Sequence, residues 1–251
     1  MTDVSSPRDA SGSVDYNLGW KLWSDMVRYY PAAVHRRRII SEWTRPLQPS
    51  SVLDVGCGTG VLLQELKEVF PTARFAGVDF AHETMAANAG EMPWCRFDVL
   101  DIARASLPER FDLVVCSEVL EHVKDDDAGL ANLAAMTGKH LMITVPTGPI
   151  FPLERSFGHL RHYELSSLVQ RLEAHDLRAV RLMVWGYPWM TAFKRASNFR
   201  PRGTAAKFGG GTWGPAQRAF ARALTLLFYL NWPSPRGPQL FVLASRNGQP
   251  P

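Results

Sequence analysis

The chain has 251 residues and a formal net charge of +4, with 28 Lys and Arg against 24 Asp and Glu. Proteins dedicated to nucleic acid usually carry a denser basic stripe, so no nucleic-acid partner is predicted. The three cysteines lack paired spacing, which argues against a disulfide framework. The first residues lack the apolar region of a signal peptide, and no apolar stretch reaches the roughly 20 residues that span a bilayer. These features predict a cytoplasmic globular protein, monomeric or homodimeric, without a transmembrane segment.

Short β-rich runs alternate along the chain with helical patterns, which is typical of a mostly parallel sheet covered by helices on both faces. The pattern predicts strands at 51–55, 74–78, 94–97, 111–116, 140–145, 178–185 and 239–245. It predicts helices at 60–70, 82–89, 119–136 and 164–175. We expect a single domain, in which 51–186 and 238–246 form the core. Residues 1–14 are then a flexible leader, 15–45 a helical cap and 187–236 an inserted lid.

The most informative motif runs from Val52 to Gly60 and reads Val-Leu-Asp-Val-Gly-Cys-Gly-Thr-Gly. It lies where the first strand turns into a helix, so its glycines permit a sharp turn close to a ligand and the helix start offers free N–H groups. A dinucleotide fold has the spacing Gly-x-Gly-x-x-Gly, whereas here the third glycine comes one residue early. This spacing favours a nucleoside bearing an amino acid over a pyrophosphate, and it disfavours a nicotinamide-dependent dehydrogenase.

Acidic residues follow the second and third predicted strands. A carboxylate about 20 residues after the glycine loop is expected to bind ribose hydroxyls, and Asp79 stands 19 residues after Gly60. Asp98 follows the third strand in the same way. The glycine loop and the two acids together predict a nucleoside site at the carboxyl ends of the strands.

These motifs resemble those of the class I S-adenosylmethionine-dependent methyltransferases, over residues 51–245. The resemblance implies an α/β, doubly wound, seven-stranded sheet of order 3-2-1-4-5-7-6 with an antiparallel last strand. It also implies S-adenosylmethionine as cofactor and S-adenosylhomocysteine as product. Asp79 would then bind the ribose, and Asp98 with Val99 the adenine. The full set that the resemblance assigns to the cofactor is Asp54, Gly56, Cys57, Gly58, Gly60, Asp79, Phe80, Asp98, Val99 and Ser117.

After the fourth strand the chain reads Glu-Val-Leu-Glu-His-Val, and on the predicted helix Glu118, Glu121 and His122 share one face. The string resembles the 3-demethylubiquinone O-methyltransferase-like branch of small-molecule enzymes. It is also similar to the Glu-x-x-Glu-His of small-RNA 3′-end 2′-O-methyltransferases, which bind a divalent metal through it. That similarity implies Glu118, Glu121 and His122 as metal ligands, with His159 or His162 added. The metal is not favoured, because the same string also serves structural or substrate-contacting roles.

Methyl transfer from a sulfonium is an in-line displacement that needs an aligned nucleophile and often the removal of a proton. The predicted catalytic residues are His162, His122 and Glu118. His162 follows the fifth strand and can act as a general base near neutral pH, or it can bond the loop backbone. Aromatic residues in both appendages predict an apolar pocket. The residues predicted to contact the acceptor are Tyr30, His159, Tyr163, Trp185 and Tyr187.

The predicted function is methylation of a small, hydrophobic or aromatic metabolite of natural-product type, with O-methylation favoured over N- or C-methylation. An RNA-end 2′-O-methyltransferase with a divalent metal and a non-catalytic cofactor-binding interaction subunit are the alternatives. The segment 215–230 is a further predicted helix. Because 223–230 is apolar nearly all round, burial or a dimer contact is favoured over weak contact with a membrane surface.

Overall fold

The computed structural model describes residues 7–9, 14–199, 203 and 210–246, and its strands form a sheet of order β3-β2-β1-β4-β5-β7-β6. The strands are β1 (Ser51–Val55), β2 (Arg74–Asp79), β3 (Cys95–Val99), β4 (Phe111–Ser117), β5 (Thr137–Pro146), β6 (Leu177–Trp185) and β7 (Gln239–Arg246). Strands β1 to β5 pair in parallel, and β7 runs antiparallel between β5 and β6. The predicted fold class and strand order are confirmed.

The central strands are mostly apolar because helices cover both faces of the sheet. Every residue of β1 is buried, as is almost all of β5. One core cluster includes Leu63 and Phe75, and the other includes Val114 and Leu130. The two clusters fix the sheet rigidly, so the loops at the carboxyl ends of its strands are held in place from below.

Helices precede, cover and interrupt the sheet. They are α1 (Tyr16–Leu22), α2 (Ser24–Tyr29), α3 (Pro31–Thr44), α4 (Val61–Val69), α5 (His82–Glu91), α6 (Asp126–Met136), α7 (Pro152–Ser156), α8 (Leu165–Glu173), α9 (Trp189–Phe199) and α10 (Pro215–Phe228). Asp15 caps α1 by accepting the backbone N–H of Leu18, and Pro31 opens α3, where its missing N–H costs nothing. The predicted helical N-terminal segment is therefore three helices joined by tight bends.

The predicted helix over 119–136 is wrong in its first half. Glu118 has a left-handed backbone with φ of +58°, and Leu120–His122 form one 3-10 turn. Helix α6 begins only at Asp126, because the Asp125 side chain accepts the N–H of Ala128 and acidic residues favour a first helical turn. Glu118, Glu121 and His122 therefore do not share a helix face.

Much of the predicted leader, residues 1–6 and 10–13, lies outside the described residues, as do 200–202 and 204–209 of the predicted lid. The N–H of Asp15 donates to the carbonyl oxygen of Pro7. Helix α10 buries Ala221 and Phe228, yet Leu226 is 70% exposed. The favoured interpretation of 215–230 as a buried helix is therefore wrong for one of its faces. Within the described part of the chain, no helix combines the length and apolarity needed to cross a membrane.

Candidate functional site

A cavity of about 790 Å³ lies at the carboxyl ends of β1, β2 and β4, closed over by α1, α2, α3 and α9. Open α/β sheets bind ligands at this edge, and small-molecule sites have volumes of roughly 300–1,000 Å³. Of the residues predicted from the sequence, those that line the cavity are Asp54, Gly56, Cys57, Asp79, Phe80, Ser117, Glu118, His122, Tyr30 and His159. The structure thus brings the predicted cofactor loop and part of the predicted acceptor site into one space.

The loop between β1 and α4 depends on left-handed glycines. Gly56, Gly58 and Gly60 have φ values of +71°, +49° and +72°. A side chain at Gly56 would collide with Val119, and one at Gly58 would come within 2.8 Å of the Trp20 ring. The loop therefore lets the backbone approach a ligand, while Gly58 and Gly60 shape it from outside the cavity wall.

Two buried carboxyls face the cavity. Asp54 and Asp79 are 3% and 4% exposed. The two oxygens of Asp79 accept the backbone N–H groups of Gly58 and Ala81, at 3.1 and 2.9 Å. Burial raises the pKa of Asp54 to about 8, aided by the charge of Asp79, and burial also raises the pKa of Asp79. Because neither carboxyl has a cationic partner among the described residues, the site favours a ligand with positive charge and hydroxyl donors.

The end of β3 differs from the prediction. Asp98 forms an ion pair with Arg96 at 2.8 Å, and Val99 is 57% exposed. Neither residue lines the cavity, which is bounded at this point by Asp101 and Ile102. The geometry therefore gives Asp98 and Val99 no contact with a ligand here, and sequence reasoning missed Asp101 as the acidic residue at the wall.

Glu118 and Ser117 end β4 in a polar network. One oxygen of Glu118 accepts the side-chain N–H of Gln239 at 2.7 Å, and the other lies 3.3 Å from Nη1 of Arg36. The hydroxyl of Ser117 lies 2.9 Å from that of Thr144. Glu118 is thus a charged, fixed acceptor on the cavity wall, and Arg36 supplies a cation that the sequence motifs did not indicate.

Three histidines form a chain beside the cavity. Nδ1 of His162 lies 2.9 Å from the carbonyl oxygen of Gly148, and its Nε2 lies 3.2 Å from Nδ1 of His159. A carbonyl only accepts, so neutral His162 carries its proton on Nδ1 and its bare Nε2 accepts from Nδ1–H of His159. Nε2 of neutral His159 is then unprotonated. The third ring, His122, lies 4.8 Å from His159 between centroids and bonds Tyr16 through Nδ1 at 3.0 Å.

Burial keeps the three rings neutral. It lowers the pKa of His122 to about 4 and that of His159 to about 2, the latter aided by the charges of its two histidine neighbours. Burial also lowers the pKa of His162. His159 and His122 line the cavity, whereas His162 does not. The base predicted at His162 therefore lies behind His159 and can reach a ligand only through that ring.

Glu121 is the least satisfied polar residue of this cluster. It is fully buried, and among the described residues no neighbour donates a hydrogen bond to either carboxylate oxygen. Burial and the charge of Glu118 raise the pKa of Glu121 well above its usual range. Ligand atoms of Glu121, His122 and His159 lie within 4.8 Å of one another, a set of two imidazoles and one carboxylate that suits a divalent transition metal.

A second set of the same kind joins Glu154, His159 and His162. Lys194 already pairs with Glu154 at 2.7 Å, so this carboxylate has its cation. Glu118 belongs to neither set. Of the metal ligands suggested by the sequence, the structure therefore groups Glu121 and His122 with His159, and it separates Glu118 and His162 from them.

Three residues predicted to contact the acceptor serve the scaffold instead. Tyr163 is buried and donates its hydroxyl to Asp126 at 2.7 Å. Trp185 is buried in the core, and Tyr187 packs edge-on against Trp232. None of the three lines the cavity. The cavity is also lined by residues outside the predicted acceptor set, namely Tyr16, Trp23, Arg36, Phe157, Met190, Phe193 and Lys194.

A family model described as a methyltransferase domain matches residues 22–182. The trans-aconitate 2-methyltransferase of Klebsiella pneumoniae (strain 342) is 31% identical over 121 residues, which are 48% of this chain and 46% of that protein. The ubiquinone biosynthesis O-methyltransferase of Neisseria meningitidis serogroup C (strain 053442) is 31% identical over 125 residues, which are 45% of this chain and 50% of that protein. The chain spans about half or less of the length of the curated relatives it matches.

Among solved structures, the magnesium protoporphyrin IX methyltransferase of Synechocystis PCC 6803 with bound SAH superimposes with a TM-score of 0.52 and 15% identity. The match covers 85% of this chain and 83% of that chain. At this identity the likeness concerns the fold. The family match includes the glycine loop, Asp79 and the histidine cluster, whereas the cavity residues Tyr16, Phe193 and Gln239 lie outside it.

Proposed function

The chain belongs to the class I S-adenosylmethionine-dependent methyltransferases, and we propose that it methylates a small, hydrophobic or aromatic metabolite. The observation that carries this proposal is the continuity of the cavity. It is lined both by Gly56 of the predicted cofactor loop with Asp79 at the end of β2, and by Tyr30 and Phe193 from the helical appendages. A cofactor and an apolar acceptor would therefore share one enclosed space.

The buried acids support S-adenosylmethionine as the ligand beside the predicted cofactor loop. The oxygens of Asp79 accept backbone N–H groups and the residue lines the cavity, which suits an acceptor for a pair of ribose hydroxyls. Asp54 lacks a cation, and the cofactor carries an ammonium and a sulfonium. We assign the adenine to Asp101 and Ile102, which line the cavity, in place of Asp98 and Val99, which do not. When bound, the cofactor supplies an electrophilic methyl group.

His159 is the residue we assign to the acceptor's proton. His159 lines the cavity, its Nε2 is the nitrogen left to accept from a hydroxyl, and His162 with Gly148 fixes the ring. The acceptor oxygen would gain the methyl group and lose its proton to Nε2 of His159. Because burial lowers the pKa of His159, the ring is neutral near pH 7 and only weakly basic, so it orients the hydroxyl first and takes the proton as the new oxygen–carbon bond makes that proton strongly acidic. Alignment of the reacting atoms then supplies most of the rate.

O-methylation is the favoured form of the reaction. Two relatives with sequence identity near a third carry the name of an O-methyltransferase, one acting in ubiquinone biosynthesis and one on malonyl-[acyl-carrier protein]. The aromatic wall of Trp23, Tyr30 and Phe157 suits an apolar or aromatic body behind the reacting hydroxyl.

Transfer of an isotopic methyl label tests the proposal. The protein is incubated with methyl-labelled S-adenosylmethionine and matched pairs of apolar acceptors that differ only in a hydroxyl or an amino group. We expect label in the extracted hydroxyl acceptors, less in the amines and none with Asp79→Ala. Cofactor binding without transfer to any acceptor would instead favour the non-catalytic, cofactor-binding subunit.

A divalent cation at Glu121, His122 and His159 is a second candidate feature, favoured by the buried carboxylate of Glu121, to which no described neighbour donates. It is an alternative to the base role of His159, because the cation would take the same Nε2. After treatment with chelator, Mn²⁺ or Zn²⁺ is expected to raise the unfolding temperature of the native protein and to leave that of Glu121→Gln unchanged. Equal temperatures in both would refute the cation and identify Glu121 as a neutral carboxylic acid. The cation would not by itself indicate an RNA acceptor.

A further inference from the structure

The charges of the chain are divided unevenly along its length. Residues 177–251 contain eleven Lys and Arg and no Asp or Glu, a formal charge of +11, whereas residues 1–176 carry −7. The eleven are Arg178, Arg181, Lys194, Arg195, Arg200, Arg202, Lys207, Arg218, Arg222, Arg236 and Arg246. This part of the chain includes β6, α9, α10 and β7. Basic charge is therefore concentrated in the lid and the sheet edge beside it.

Helix α10 presents an apolar stripe to solvent. Leu226 in its last turn and Leu230, two residues beyond its end, are 70% and 61% exposed, and Ala223 precedes them at helical spacing. The opposite face is buried, with Phe228 at 1% exposure. One face of the helix thus packs on the protein while these two leucines face solvent.

The stripe continues into the next turn of chain. Tyr229 and Trp232 are 56% and 51% exposed, and Trp189 at the start of α9 is 41% exposed. The backbone N–H of Trp189 donates to the side chain of Asn231 at 2.8 Å, which holds the two segments together. We call the set Leu226, Tyr229, Leu230, Trp189 and Trp232 the lid face. Contiguous exposed apolar surface of this kind marks an interaction site.

We propose that the lid face docks on an anionic membrane surface. The cations around it fit that partner, since Arg222 is exposed on the same helix and Arg38 lies over the Tyr229 ring at 5.0 Å. Arg236 lies over the Tyr187 ring at 5.7 Å, next to Trp232. Glu42, an acidic residue near the lid face, forms an ion pair with Arg38. An amphipathic helix with exposed leucines, flanked by tryptophan, tyrosine and arginine, suits a lipid surface. A single-stranded RNA would instead be bound by stacking of its bases on aromatic rings.

Docking would set the lid between the bilayer and the cavity. Helix α9 carries Trp189 on the lid face and Met190 and Phe193 on the cavity wall. Phe228 of α10 packs against Phe193, with ring centroids 6.0 Å apart. The acceptor class that follows is an apolar molecule dissolved in the membrane, which enters past α9. This last step rests on the proposed function, whereas the docking itself does not.

Co-sedimentation with vesicles tests the docking with the full chain. The native protein is expected to sediment with vesicles of phosphatidylglycerol and phosphatidylcholine, less so in high salt, and to stay in solution with phosphatidylcholine alone. The double substitution Leu226→Ser and Leu230→Ser is expected to weaken binding roughly tenfold or more, and Arg222→Glu with Arg236→Glu similarly. The matched control is Trp94→Ala, an exposed aromatic at β3, on the opposite edge of the sheet from β6.

Calorimetric titration with S-adenosylmethionine is run on the same variants and is expected to give native affinity, which separates this proposal from the proposed function. Native protein that stays in solution with anionic vesicles would overturn the docking, as would leucine variants that still bind them. A native dimer that the leucine substitutions convert to monomer would identify the lid face as a contact between two copies. Binding of poly(U) RNA that survives those substitutions would assign the basic charge to RNA instead.

Discussion

Replacing Asp79 by alanine tests where the ribose lies. The oxygens of this carboxylate accept the backbone N–H groups of Gly58 and Ala81, and Asp79 lines the cavity, where we assign two ribose hydroxyls to it. Hydrogen bonds to a charged group contribute about 1.5–3 kcal/mol each. Loss of two such bonds is expected to raise the dissociation constant of S-adenosylmethionine by a factor of roughly 10² to 10⁴.

Isothermal calorimetry with S-adenosylmethionine measures that change directly. Because Asp79 also holds the backbone of Gly58, thermal unfolding of the variant without ligand is measured alongside. Asp79→Asn keeps one acceptor oxygen and is expected to fall between the alanine variant and the native protein. The matched control is Asp98→Ala, which removes a carboxylate bonded to Arg96 outside the cavity. Native affinity in Asp79→Ala would refute the ribose assignment.

The remaining predictions concern the adenine, the proton and the pH dependence of stability. Asp101→Ala is expected to weaken cofactor affinity, while Asp98→Ala leaves it unchanged. The reverse result would favour Asp98, as expected from the sequence, as the residue that binds the adenine. His159→Ala is expected to lower turnover by roughly 10² or more at native cofactor affinity, with His162→Ala less severe, and equal losses of turnover and affinity would indicate a structural pair. Because the pKa of Asp54 is raised to about 8, the folded state holds a proton that the unfolded chain has released, so stability without ligand falls as pH rises toward 8. Asp54→Asn is expected to flatten that slope in thermal unfolding, and an unchanged slope would contradict the burial of an unpaired carboxyl.

The strands could be predicted because fully buried strands are apolar along their whole length. The run Leu113, Val114, Val115 and Cys116 is one example, and the structure buries all four. The order of the strands in the sheet could not be predicted in this way, because the local sequence pattern does not encode it. It was predicted from the family resemblance. The positions of the strands along the chain were therefore predicted from the residues themselves, and the sheet topology from motifs shared with the family.

The ends of the strands were harder to predict, and the site depends on them. Asp98 and Asp101 stand three residues apart after β3, and the sequence offers no means to decide which one reaches the cavity. The structure decides through pairing, because the N–H of Leu100 bonds the carbonyl oxygen of Asp79 and so fixes where the chain leaves the sheet. Ladder bonds of this kind are long-range contacts that a single sequence does not reveal.

The histidine cluster shows the same limit in a loop. His159 and His162 lie three residues apart without helical periodicity, so nothing in the sequence tells which one faces the ligand. The orientation depends on the backbone at Gly148 and Gly158, whose φ values are +77° and +92°. Likewise the left-handed Glu118 broke a helix that the apolar periodicity predicted, because the aspartates before α6 begin the helix later.

Titration of the native protein with S-adenosylmethionine and S-adenosylhomocysteine by calorimetry, with and without chelator, tests the central claim most directly. We expect each to bind at one site with micromolar affinity, since Asp79, the glycine loop and the cavity are preformed. Retention of this binding in chelator would leave the cation at Glu121 as a separate question. The absence of binding by both compounds would contradict the assignment of the cavity to this cofactor.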